Sequence, residues 1–177
     1  IDYIRLVEGP SGGAWTNTAG GSWLQNANWS GGLIANGANS TADFSTLDLT
    51  ANATVTVDTQ RVIGHLLFGD TAAEGSPQTY KSWTLNADTA GALVMDVDSG
   101  APTITVGNGA ATINVAIAGS RGLTKTGAGR LTLSGANVYS GETTIEDNSI
   151  LTISNANALG SATDGTTVAS GSQLRLE

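Results

Sequence analysis

Cysteine is absent and histidine occurs once, at His65. The first absence excludes a disulfide framework, a thiolate nucleophile and any cysteine-ligated metal. The second excludes a histidine-cluster metal site and argues against a Ser-His-Asp triad. Basic residues are few: 7 Lys and Arg stand against 15 Asp and Glu, a net charge of −8. That balance suits neither nucleic acid nor an anionic membrane surface, so neither is expected as a partner. No run approaches the roughly 20 apolar residues of a membrane-spanning helix. Aromatic residues make up 5% of the 177, Pro numbers 3, and long charged helix formers are scarce. The chain begins at Ile1 without Met or signal peptide and reads as a mature product or a piece of a larger protein.

Glycine and threonine dominate instead, 24 of each, with abundant Ala, Ser and Asn. A hydrophobic content of 40% is enough for a core and argues against disorder. The apolar period is two almost everywhere. Leu93, Met95 and Val97 alternate with Val94, Asp96 and Asp98; Ile113, Val115 and Ile117 alternate with Asn114 and Ala116. Leu131/Leu133, Leu151/Ile153 and Leu174/Leu176 repeat the pattern. Each reads as a strand with one apolar and one polar face. Turn clusters separate them, at Asp98-Ser99-Gly100, Gly107-Asn108-Gly109, Ser134–Asn137 and Asp164-Gly165. No helical pattern of useful length is present; residues 155–160 support one short turn. Strands of about 3–7 residues at roughly 8–12-residue spacing fit an antiparallel sandwich or a parallel solenoid. Sparse hairpin dipeptides and a loose repeat of Leu-polar-Leu units favour the solenoid.

Residues 122–145, GLTKTGAGRLTLSGANVYSGETTI, followed by SILTIS at 149–154, carry a recognisable spacing. This stretch resembles the autotransporter-associated β-strand repeat, with looser echoes over 46–177. The resemblance implies a right-handed parallel β-helix. Trp15, Trp23, Asn28-Trp29 and Ala42-Asp43-Phe44 resemble the Trp-rich lead-in that precedes such repeats. The expected organisation is therefore an N-terminal cap over 10–45 and a parallel β-helix over 46–177. A cap is physically needed, because the first coil of a solenoid exposes an unpaired edge and an open core. At about 20–25 residues per coil, five or six coils are expected. Residues 1–9 read either as the tail of a preceding jelly-roll domain, on the likeness of Ile1–Glu8 to the last strand of such domains, or as a first strand of this one.

The chemistry on offer is sparse. Asp96 and Asp98 lie i,i+2 on one strand, about 7 Å apart by strand rise, a separation open to an inverting glycosidase pair. Nothing in sequence supplies them a basic or aromatic partner, and a solvated face is the plainer reading. Glu146-Asp147 reads as a turn. Arg121, Lys125 and Arg130 could serve a lyase, but Lys125 belongs to the repeat and reads as structural. His65 reads as a surface residue. No acid/base constellation results, so no enzyme activity, cofactor or metal is expected.

The aromatic residues are the best binding candidates, since sugars stack on flat rings. Tyr80 follows the long loop 70–79, with Glu74, Pro77 and Gln78, and loops leaving a regular coil are where sites sit. Trp83, Trp23 and Trp29 are the other rings, each with packing as its rival role. Asp96 and Asp98 would supply a polar ladder beside them, with Thr103, Thr105 and Asn114. The chain is also similar to a β-helical xylan-binding carbohydrate-binding module attached to xylanases. That resemblance implies a secreted, non-catalytic module, its partners a xylan-type polysaccharide and an attached catalytic domain. Two alternatives stand beside it: a passenger or adhesin segment of an autotransporter-like surface protein, and a small β-helix polysaccharide lyase or hydrolase. The first two place the chain outside the cell or on its surface.

Overall fold

The computed structural model describes residues 11–72 and 79–177. The stretch read above as a tail or first strand (1–9) lies outside the described residues, as do Glu74, Pro77 and Gln78. Among the described residues sixteen strands follow one another: β1 (Gly13–Ala14), β2 (Gly20–Ser22), β3 (Gly37–Phe44), β4 (Ala53–Val57), β5 (Gln60–Phe68), β6 (Ser82–Ala87), β7 (Ala92–Met95) and β8 (Thr103–Val106). Then come β9 (Ala110–Ile113), β10 (Ile117–Ala118), β11 (Leu123–Thr126), β12 (Arg130–Leu133), β13 (Thr143–Ile145), β14 (Ile150–Ile153), β15 (Thr166–Val168) and β16 (Gln173–Leu176). Short 3₁₀ turns at Asn26–Asn28 and Ser30–Gly32 interrupt the cap.

The strands sort into two sheets of parallel pairs. The first runs β1-β3-β5-β8-β11-β13-β15, with β7 and β10 beside it; the second runs β2-β4-β6-β9-β12-β14-β16. Apart from the successive pairs β7/β8 and β10/β11, which both lie in the first sheet, sequence neighbours alternate between sheets, so the coils place strands on both sides of a common core. This is a parallel β-solenoid, as the sparse hairpin dipeptides and the loose repeat of Leu-polar-Leu units predict. The register is strict in the second sheet: Leu131 pairs with Ala111 and Leu151, and Leu151 with Leu174. β5 serves two neighbours, Gln60–Ile63 pairing with β7 and His65–Phe68 with β8. The change falls at Gly64, where a Cβ would lie 2.7 Å from the Asn39 Cα, so only glycine lets the coils meet.

Period-two alternation makes the core. Leu85, Ile113 and Leu133 stack inward from one sheet, and Ala42, Leu66, Ile104 and Ile145 from the other. Outward positions between them are mostly Thr, whose β-branched side chain suits a half-buried pleated surface. At the N-terminal end, Trp15, Trp23 and Trp29 converge on Phe44, and Phe44 lies over Phe68 with centroids 5.2 Å apart and planes at 10°. Trp83 closes the group at 5.4 Å from Phe44. Aromatic contacts of this kind are worth about 0.5–1.5 kcal/mol each beyond the area they bury. Two antiparallel bridges, Ser11–Asn36 and Trp15–Trp29, fold the lead-in back over this cluster.

Candidate functional site

The Trp side chains do not form a stacking platform. Trp15, Trp23, Trp29 and Trp83 are all buried, with at most 2% of their surface exposed. Each indole N–H donates inward to a backbone carbonyl: Trp15 to Asn17 at 2.7 Å, Trp23 to Ala35 at 3.0 Å, Trp29 to Trp23 at 2.8 Å and Trp83 to Gly69 at 2.8 Å. With both ring faces covered and the polar handle satisfied, these side chains spend their surface on the core. Of the predicted rings only Tyr80 reaches solvent, 37% exposed, over Gly109 at the foot of the long loop.

Asp96 and Asp98 are not a catalytic pair on one regular strand, because β7 ends at Met95. Asp96 is half-buried, and its backbone carbonyl accepts from the Asn39 N–H. The Asp98 carboxylate accepts from Asn39 Nδ2 at 2.7 Å, and its N–H donates back to Asn39 Oδ1 at 2.9 Å. Asn39 sits at φ +62, so the exchange pins a strained bulge of β3. The structure thus holds Asp98 with Asn39 and leaves Tyr80, on the loop leading to the opposite sheet, unlinked to it. Thr103 and Thr105 lie on the first sheet, Asn114 just past the end of a strand in the second, so the polar ladder is divided between two faces. His65 Nδ1 lies 2.8 Å from Thr103 Oγ1. Among the described residues no group of three or more His, Asp and Glu is placed to hold a metal ion.

What the buried polar groups do is brace turns. Asp70, 2% exposed, accepts from the backbone N–H groups of Leu49, Ala72 and Lys81, and so clamps both ends of the long loop. Asn108 reaches across from the next coil to Asp70's own N–H and carbonyl. Asn137 accepts from Ile117 N–H at 2.9 Å and donates to Ala158 carbonyl at 2.6 Å, tying the coil before to the coil after. Tyr139 is buried and its hydroxyl meets Thr143 Oγ1 at 2.7 Å; burial raises its pKa.

Lys125 is the unexpected member of this set. It occupies an inward position, between Ile104 and Ile145 in register, and is 1% exposed. Its ammonium donates to the carbonyls of Thr126 and Gly127, the latter at 2.8 Å. Burial lowers its pKa to about 8, against the opposing pull of Asp147. Sequence reading marks Lys125 as structural through its repeat; that it points inward is visible in the alternation Leu123, Lys125 once β11 is placed.

Lys125, Asn137 and Tyr139 fall within a recognised repeat. Residues 123–147, which span β11 to β13, match the family model of the passenger-associated-transport-repeat. Over 115 residues, 61% of this chain, the sequence is 36% identical to the adhesin BmaC autotransporter of Brucella suis biovar 1 (strain 1330). The chain spans only 3% of that relative's length. No solved structure gives a significant match. One likeness is to a passenger-associated-transport-repeat and the other to an autotransporter adhesin; neither is to a polysaccharide-binding module. They agree with the secreted or cell-surface placement read from the sequence.

Proposed function

We infer that this chain is a non-catalytic structural segment of an autotransporter-type passenger, a stiff solenoid spacer outside the cell. The observation that carries the reading is the fit of the matched repeat to one coil of the stack. Residues 123–147 contain one strand of each sheet and the next strand of the first, with Lys125 bracing the turn between β11 and β12. The adhesin relative supports a surface-protein context. In a solenoid each coil contacts only its neighbours, so length grows by adding coils and stiffness comes from continuous backbone ladders. Adhesive contacts then belong to other parts of such a protein.

The xylan-module reading loses its main support, because the four indole rings face the core. Its remaining asset is Tyr80, the one exposed aromatic ring among the described residues. Affinity electrophoresis in gels containing xylan, β-glucan, mannan or pectin, with product assays on the same samples, separates the readings. The passenger reading predicts no retardation in any gel and no released sugar. Selective retardation by xylan that is lost in Tyr80→Ala would overturn it in favour of the binding module. Release of reducing ends or unsaturated products would favour the lyase or hydrolase.

A further inference from the structure

The sequence holds two Asn-Gly pairs, Asn36-Gly37 and Asn108-Gly109. In such a pair the glycine has no side chain to shield its backbone nitrogen, and its backbone is less restricted than that of any other residue. That nitrogen can reach the side-chain amide of the preceding asparagine. The fold treats the two pairs differently. Asn108 is half-buried and held at both ends of its amide. Its Oδ1 accepts from the Asp70 N–H at 2.9 Å, and its Nδ2 donates to the Asp70 carbonyl at 3.0 Å. Gly109 is packed tightly as well, since a Cβ there would lie 3.0 Å from both the Lys81 carbonyl oxygen and the Tyr80 Cβ. Asn36 is exposed and held at one end only. Its Oδ1 accepts from the Val62 N–H at 3.3 Å, and its Nδ2 has no acceptor among the described residues. Gly37 follows at φ +113, a conformation open to glycine.

The backbone of Asn36, by contrast, is heavily used. Its N–H donates to the Ser11 carbonyl and its carbonyl accepts from the Ser11 N–H, both at 2.9 Å. The same carbonyl accepts from Ser40 Oγ at 3.0 Å. Ser11 Oγ donates to the nearby Ile34 carbonyl at 2.7 Å. This pairing is one of the two bridges that fold the lead-in over the aromatic cluster.

We propose that Asn36 is a site of spontaneous deamidation, passing through a cyclic succinimide to aspartate and isoaspartate. The Gly37 nitrogen, having lost its proton to hydroxide, attacks Asn36 Cγ. The Cγ–Nδ2 bond breaks and Nδ2 leaves as ammonia, taking its third proton from water. One water then opens the ring. Cleavage of the new N–Cγ bond leaves aspartate; cleavage of the original peptide bond leaves isoaspartate, whose main chain runs through Cβ and Cγ. Two features of the fold favour the step at Asn36. The Val62 N–H is bonded to the oxygen on which negative charge develops, as a donor in an oxyanion hole is. The leaving Nδ2 has no bond to give up among the described residues. At Asn108 both bonds to Asp70 must break before the amide can turn toward Gly109. The consequence falls on the cap. In isoaspartate the former Asn36 carbonyl becomes a free carboxylate and the chain gains a methylene, so the pairing with Ser11 is lost.

The inference is independent of the passenger reading. Its test is timed incubation of the whole chain at mildly alkaline pH in water labelled with heavy oxygen, once folded and once in guanidinium chloride, followed by peptide mapping by mass spectrometry. In the folded chain the peptide carrying Asn36 is expected to lose ammonia and gain one labelled oxygen, with aspartate and isoaspartate both present. The peptide carrying Asn108 should convert more slowly by about tenfold or more, because two hydrogen bonds hold its amide. In guanidinium chloride the two should convert at similar rates. A folded chain that keeps Asn36 intact while the unfolded sample converts, or in which Asn108 converts as fast as Asn36, overturns the proposal. Hydrogen exchange on the converted chain reads the consequence. The Ser11 amide should exchange faster than in the fresh chain, and an unchanged rate overturns the loosening of the bridge.

Discussion

Lys125→Met tests the physical account of the core with one substitution. The native ammonium sits in an inward column between Ile104 and Ile145, and burial depresses its pKa from 10.5 to about 8. The unfolded chain therefore keeps its proton between about pH 8 and 10.5 while the folded chain has released it. Stability rises with pH wherever the unfolded state binds more protons, so this lysine makes the fold more stable as pH climbs through that window. Integrating the two titrations gives a gain of roughly 2–3 kcal/mol between pH 7 and pH 10. Methionine fills a similar volume and does not titrate. At pH 7 the variant escapes the cost of a buried charge but gives up the bonds to the Thr126 and Gly127 carbonyls, so opposing terms partly cancel. The assay is urea unfolding of both proteins at pH 7, 8, 9 and 10, followed by tryptophan emission. Comparing the pair removes titrations common to both, Tyr139 included. The wild-type stability minus that of the variant should climb by roughly 2–3 kcal/mol, most of it above pH 8. A difference that stays flat, or falls as pH rises, would refute the inward placement of this side chain.

Four further outcomes follow from the same structure. Asn137→Ala strands the Ile117 N–H and the Ala158 carbonyl, and should cost about 2–4 kcal/mol in urea unfolding. Trp23→Ala opens a cavity beneath the cap and should cost about 3–5 kcal/mol, read as a lower unfolding midpoint. Gly122→Ala sets a Cβ 2.2 Å from the Glu142 carbonyl oxygen at φ +73, and the thermal midpoint should fall by several degrees. Asp70→Ala releases the three backbone donors of Leu49, Ala72 and Lys81 and should raise proteolytic cleavage near Asp70–Ala72 and Lys81 before it lowers global stability.

Much of the fold is legible in the sequence because a solenoid repeats its own rule. Leu131/Leu133, Leu151/Ile153 and Leu174/Leu176 announce their strands by alternation alone, and the turn glycines mark coil corners. The direction of the aromatic rings is less legible. Trp83 lies in phase with Leu85, which does point to the core, but Trp23 and Trp29 sit in irregular cap segments where no period applies. Their burial comes from tertiary convergence on Phe44, which no local pattern encodes. Asp98 misleads for a related reason: alternation continues past Met95 in the sequence, while the chain leaves the sheet there and Asn39, 59 residues earlier, claims the carboxylate. Asp70 and Asn108 carry no motif at all, and their pairing appears only when two coils are stacked.

The most direct test of the structural reading is tryptophan emission with acrylamide quenching, measured with and without xylan. A solenoid whose four indole rings all lie in the core predicts blue-shifted emission, weak quenching and no response to xylan until the chain is unfolded. Red-shifted, readily quenched emission that xylan protects would contradict it, and would put those rings on a sugar-binding surface.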